Sequence, residues 1–141
     1  MTTAAAARLK LAADTTPGLP KLPHIPGVCW PLRPKQQEEN LLHVALWIVE
    51  HDQDNLEMSY WHQITAKHKA FYLLPAAEQH HSCGTVHCIA GFAQAMSGKW
   101  GFKVKPDSAG YLLLGKEATD HFMDSNAGAL AFLKTVIDRN S

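Results

Sequence analysis

The chain has 141 residues, 46% of them hydrophobic, and its 13 basic residues balance 13 acidic ones. This length supports one hydrophobic core, and the neutral charge lacks the basic excess of proteins that bind nucleic acid, so we expect no nucleic-acid partner. No apolar run reaches the length of a bilayer-spanning helix, and no basic region precedes an apolar stretch near the N-terminus, so we expect neither membrane insertion nor a secretory signal.

Residues 1–36 form an N-terminal arm that differs in composition from the helical domain predicted over residues 37–141. Residues 3–13 favour a short alanine-rich helix, marginal on its own because helix nucleation is costly. Prolines then recur every three to five residues and predict an extended chain, because each removes a donor and biases its predecessor to extended geometry. The apolar residues of the arm, among them Ile25, Val28 and Trp30, are too many for a solvated linker. We therefore expect the arm to lie against a surface, either of its own domain or of a neighbour.

The first strong helix is predicted from Pro34 to His51. Proline suits the first helical position, and apolar residues recur along one face at helical spacing. His43 and Trp47 fall on the opposite face. An outward tryptophan is expected to be covered by the arm or by a partner, so the predicted partner-binding residues are Ile25, Val28, Trp30 and Trp47.

The remainder of the chain predicts further short helices with little strand. Residues 64–74 favour a helix, and residues 84–97 predict a helix whose small flanking residues place it at the centre of the bundle. Gly91 is expected to mark its crossing with the helix of residues 37–51. Residues 100–105 alternate like a short strand or an extended crossing, and helices follow over 108–114, 116–123 and 126–139. The fold class is therefore all-α, a compact bundle of five to seven short helices with an extended proline-rich N-terminal arm.

The residues best suited to chemistry lie in and just before the helix of residues 84–97. Cys83 and His87 are four residues apart, which places both on one helical face, and His80 or His81 can complete a zinc ligand set. Structural zinc sites usually have two paired ligand hooks, whereas this segment has one. With nine histidines in the chain, chance clustering is expected, so zinc is a possible cofactor but is not favoured.

The same segment also permits a reactive thiol. Cys83 lies near a predicted helix N-terminus, which favours a thiolate, and His81 or His87 can serve as its base. No oxyanion hole or third catalytic member is identifiable. A disulfide between Cys83 and Cys88 would close a short loop and distort the first helical turn. We favour the interpretation that both cysteines pack as small hydrophobic side chains, with Thr85 as the helix cap.

The segment Cys83-Gly84-Thr85-x-x-Cys88-x-Ala90-Gly91-x-Ala93 resembles a CGTxxCxAGxA motif of short uncharacterised proteins from bacteria, phages and plasmids. In that family a helix with a tryptophan precedes the motif, and a leucine-rich segment and a short helix follow it. Here those places are taken by Trp61, residues 111–115 and residues 118–122. The resemblance covers roughly residues 40–125 and implies no activity. The chain departs from the pattern at Phe92, where tryptophan is commoner, and by its additional histidines (His80, His81 and His87).

These observations favour a non-enzymatic interaction or assembly protein that docks through its arm onto a protein partner or a sister subunit. The candidate settings for such a protein are a phage or plasmid accessory protein, a virion component and a small bacterial adaptor. An odd number of cysteines favours reduced thiols, so we expect a cytoplasmic or virion-associated location. The alternatives are a thiol- or metal-dependent enzyme that uses Cys83 with His81 or His87, and a structural zinc-binding module.

Overall fold

The computed structural model of the chain describes residues 2–14, 18–27, 31–56, 58, 62–64 and 85–141. Helices dominate this part of the chain, which confirms the predicted all-α class. A two-stranded antiparallel sheet pairs β1 (His62–Ile64) with β2 (Thr85–His87), in the register Gln63 to Val86. The α-helices are α1 (Thr3–Ala13), α2 (Pro34–His51), α3 (Ile89–Met96), α4 (Pro106–Leu114), α5 (Lys116–Thr119) and α6 (Asn126–Arg139), with 3-10 helices at Gln53–Asn55 and Gly98–Lys103.

The helices α2 and α6 have the bounds that the sequence predicts, because local signals mark their ends. Pro34 is the first residue of α2, and the backbone N–H of Arg33 donates to Gln36 Oε1 over 2.8 Å. The hydroxyl of Ser125 accepts a hydrogen bond from the Gly128 N–H and begins α6. The two helices pack against each other along the core. At the end of α6, Arg139 forms ion pairs with Glu38 and Glu117.

Helix α3 lies at the centre of the bundle, as predicted, and all eight of its residues are buried. Its most extensive contact is with α4, and only a slight contact joins it to α2, so the predicted crossing with residues 37–51 is wrong. The close approach is made by Gly110 of α4. A Cβ atom there would lie 3.1 Å from the Cβ of Ala90 and 2.5 Å from the ring of Phe122. A side chain at this position would have to displace the Phe122 ring and press on Ala90 of α3.

Several other predicted elements differ from the structure, and one of them is α4, which begins at Pro106 rather than at residue 108. Helix α3 begins at Ile89 rather than at residue 84, because residues 85–87 pair with β1 instead. The predicted strand or extended crossing at residues 100–105 is instead mostly a 3-10 helix, Gly98–Lys103. The Gln94 side chain folds this segment back, since its amide donates to the carbonyls of Gly101 and Val104. Helix α5 is four residues long and ends in turns, and residues 65–74 of the predicted helix 64–74 lie outside the described residues.

The described part of the arm lies against the chain's own domain. Leu19 and Leu22 are buried in the hydrophobic core, and the Leu22 N–H donates to the carbonyl of Met96, at the end of α3, over 3.0 Å. Helix α1, which precedes the arm's proline-rich segment, packs on α2 through the buried Ala4 and Ala7. The N-terminal region is thus an integral layer of the fold.

Candidate functional site

A buried set of hydrogen bonds attaches the arm to α2, and Asn40 is its centre. Asn40 is fully buried and makes three hydrogen bonds. Its Oδ1 accepts from the His24 N–H over 3.1 Å, while its Nδ2 donates to the carbonyls of His24, over 2.8 Å, and Leu113, over 3.0 Å. One amide therefore binds both polar groups of a single arm residue and also the end of α4.

Two neighbours of Asn40 on α2 extend this attachment. Glu39 contacts the ring of His24, with 2.7 Å between Oε2 and Nε2. His43, one turn further on, is buried, and its Nδ1 lies 3.0 Å from the carbonyl oxygen of Glu39. Because a carbonyl only accepts, Nδ1 carries the hydrogen and Nε2 of the neutral ring is an acceptor. Burial, together with nearby Lys10 and His24, lowers the pKa of His43 in spite of the Glu39 contacts, so the neutral form predominates at pH 7.

Trp47, predicted to face outward, is half-buried near the C-terminal end of α2. Its ring stacks on His51 with 5.1 Å between ring centroids. Its Nε1 is enclosed and has no hydrogen-bond partner of good geometry in the described part of the chain. Burial raises the pKa of the neighbouring Asp52, and the Asn55 amide and the Trp47 indole oppose part of that rise. Trp47 therefore contacts the end of its own helix and also packs against the hydrophobic core.

The cysteine motif is described only from Thr85 onward. Cys88, rather than Thr85, is the N-cap of α3, and its Sγ accepts from the Gly91 N–H over 3.3 Å. Burial raises the pKa of the Cys88 thiol to about 11, so this cysteine packs as a small hydrophobic residue and is not an activated nucleophile. The backbone of His87 belongs to β2. Cys83, His80 and His81 lie outside the described residues, so the catalytic and zinc sets that include them remain predictions.

Of the other predicted partner-binding residues, Ile25 is half-buried on the arm, and Val28 and Trp30 lie outside the described residues. Sequence reasoning missed Asn40 and gave His43 no role. The signal for Asn40 was its place on the apolar face of α2, since it lies one helical turn before the buried Val44. A buried amide at such a position requires hydrogen-bond partners, and a neighbouring segment must supply them.

No family model matches the chain, and none of the curated proteins or the solved structures matches it either. Within the part of the chain that the structure describes, none of the helices combines the length and apolar character needed to cross a bilayer.

Proposed function

We propose that this chain is a non-enzymatic assembly protein. Its N-terminal arm docks onto a sister subunit or a protein partner. The observation that carries the proposal is the attachment of the arm by Asn40, which binds the backbone of His24 through both its N–H and its C=O. Backbone recognition of this kind does not depend on a particular side chain, and it suits a segment that docks as a unit.

The contacts favour a sister subunit as the acceptor of the arm. The socket consists of Asn40, the Met96 carbonyl and the core pocket that receives Leu19 and Leu22, and every copy of the chain carries it. The arm of one copy can therefore replace that of another with the same contacts, which makes exchange a low-cost route to a dimer. Pro31 and Pro34 border the connection to α2 and stiffen it, which favours an arm that moves as one piece.

The resemblance of the cysteine motif to that of short phage, plasmid and bacterial proteins supports an accessory or virion-associated setting. In such a setting the protein works by being incorporated into an assembly. A neutral net charge suits that role, because it leaves little electrostatic repulsion between copies.

Co-expression of two differently tagged copies tests the proposal. Exchange of arms predicts that purification through one tag retains the other, and that light scattering gives the mass of a dimer. Asn40→Leu is expected to reduce the retention strongly. The matched control is Gln37→Leu, which removes a hydrogen bond from α2 to the Leu112 carbonyl but none to the arm, and it should retain both tags. A full-length protein that stays monomeric and never retains the second tag refutes docking on a sister subunit.

A further inference from the structure

A cleft of about 320 Å³ opens between α1 and the first half of α2. Its apolar part is formed by Ala6, Ala7 and Leu42, of which Ala7 and Leu42 are buried. Its polar part is formed by Lys10, Lys35 and His43, with Glu39 beside them. The cleft has the size and the mixed lining of a site for a small molecule.

The polar atom that distinguishes this cleft is Nε2 of His43. The side chain of His43 is only 5% exposed, and its one hydrogen bond in the described part of the chain uses Nδ1. Nε2 is not fully enclosed, because in that part of the chain Nε1 of Trp47 is the only fully enclosed side-chain nitrogen or oxygen without a partner, and His43 lines the cleft. A nearly buried acceptor is thus left for something that enters the cleft, and that molecule must present an O–H or N–H.

The charges at the cleft are unbalanced in favour of an anion. Lys10 and Lys35 are exposed and form no ion pair within the described residues. The one carboxylate of the lining, that of Glu39, already contacts His24 over 2.7 Å. Two free ammonium groups at the opening therefore complement a ligand that carries negative charge.

We propose that the cleft between α1 and α2 binds a small hydroxycarboxylate, with its hydroxyl donating to His43 Nε2. Its apolar body lies on Ala7 and Leu42, and its carboxylate faces Lys10 and Lys35. Because one wall is α1, the bound molecule holds the N-terminal region against α2. The inference does not rest on the exchange of arms, since the same walls meet whether α1 comes from the same copy or from another.

The test is a titration of the full-length, ¹⁵N-labelled protein with three matched probes at millimolar concentrations. Mandelate carries both the hydroxyl and the carboxylate, phenylacetate lacks the hydroxyl, and mandelamide lacks the charge. Mandelate is expected to shift the ¹⁵Nε2 signal of His43 together with the amide signals of α1 and α2. Phenylacetate is expected to bind about three- to tenfold more weakly, the contribution of one hydrogen bond. Mandelamide should also bind more weakly than mandelate.

Two charge variants complete the experiment. Lys35→Gln is expected to weaken mandelate binding by about two- to fivefold, the range of an exposed charge pair. Lys134→Gln makes the same change at an exposed position on α6 and should leave binding unchanged. The inference is overturned if mandelate does not shift the His43 signal, if mandelate and phenylacetate bind equally, or if Lys134→Gln weakens binding as much as Lys35→Gln. None of these outcomes bears on whether arms exchange between copies.

Discussion

At the scale of single residues, the burial of His43 makes stability depend on pH. Folding lowers the pKa of His43 because its surroundings disfavour the charged ring, despite the nearby Glu39. The unfolded chain therefore binds a proton at His43 more readily than the folded protein does. The folded protein has its full stability above the pKa of histidine in the unfolded chain, about 6.5, and loses part of it as the pH falls below that value. We expect the free energy of unfolding to decrease from about pH 7 to pH 5, over the range that begins at this pKa.

Urea unfolding of His43→Gln measures that effect, because glutamine keeps an N–H for the Glu39 carbonyl and does not titrate. The variant should have a flatter dependence on pH than the original chain. Two carboxyl groups also change the stability as the pH falls. The raised pKa of Asp52 increases the free energy of unfolding on acidification, opposite to His43, and the lowered pKa of Glu117 decreases it, as His43 does. Because carboxyl groups titrate at lower pH than histidine, the comparison ends at about pH 5. Parallel curves for the two proteins would contradict the prediction.

Gly101 occupies a position where the end of α3 leaves no room for a Cβ atom. Such an atom would overlap the carbonyl oxygen of Gln94 and the hydroxyl of Ser97, at the end of α3. Gly101→Ala is therefore expected to lower the free energy of unfolding by about 1–3 kcal/mol, the usual cost of overpacking. Gly128→Ala on α6 is the control, because its Cβ would meet other atoms at ordinary contact distances of 3.4 Å or more. Chemical denaturation of both variants checks the difference, and equal stabilities would contradict it.

Cys88 gives an internal reference for the thiol hypothesis. Because burial raises its pKa to about 11, we expect its alkylation in the folded protein to be slow at neutral pH. Mass spectrometry of each cysteine-containing peptide, over a range of pH, compares Cys83 with this reference. If Cys83 reacts only near the ordinary thiol pKa of about 8.5, the alternative of an activated nucleophile with His81 or His87 is wrong. Rapid reaction of Cys88 itself would contradict its placement in the core.

At the scale of elements, the sequence predicts best those helices whose ends carry local signals. Pro34 and the apolar stripe predicted α2, and apolar residues at helical spacing predicted α6, both with the bounds that the structure has. The start of α3 was missed because residues 85–87 pair with residues 62–64, a contact that no local pattern reveals. The 3-10 helix Gly98–Lys103 depends likewise on hydrogen bonds from Gln94.

The arm and its socket show the same limit at the candidate site. Proline spacing predicted an extended segment that lies on a surface, but it could not identify the surface. Asn40 depends on contacts with His24, sixteen positions away, and the buried His43 lines a cleft shared with α1. Neither arrangement is visible as a motif in the sequence. Asn40 on the apolar face of α2 was the one available signal, since His43 was predicted on the opposite face.

Removal of the Asn40 amide should release the arm before it unfolds the bundle. Asn40→Leu leaves the N–H and C=O of His24 and the Leu113 carbonyl without their partner, at a cost of about 1–3 kcal/mol for each group that stays buried. Hydrogen exchange should accelerate at the amides of Leu22 and His24 and change little in α6. In Gln37→Leu these two amides should remain protected. Uniform acceleration throughout the chain would contradict the separate release of the arm.

At the scale of the whole molecule, the N-terminal region contributes to the only core in the described part of the chain. Leu22 is 4% exposed and belongs to that core, whereas Leu9 is 58% exposed. Leu22→Ala is therefore expected to lower the free energy of unfolding by about 2–5 kcal/mol, the usual cost of removing a buried leucine side chain. Leu9→Ala should change it by less than about 0.5 kcal/mol, as is typical of surface positions. Chemical denaturation of the two full-length variants measures the contrast.

Deletion of residues 1–33, which removes nearly the whole N-terminal region, is also expected to lower the stability of the protein. It removes Leu19 and Leu22 together with Ala4 and Ala7, and the two leucines alone account for about 3–6 kcal/mol of burial. Part of this is offset, because the truncated chain no longer has to order the arm. Since small domains have only about 5–15 kcal/mol of stability, we expect a melting temperature lowered by at least about 10 °C. A peptide of residues 18–33 should restore part of the loss by occupying the empty socket. If the truncated protein melts at the original temperature, and Leu22→Ala behaves like Leu9→Ala, the arm is not part of the core and does not dock as proposed.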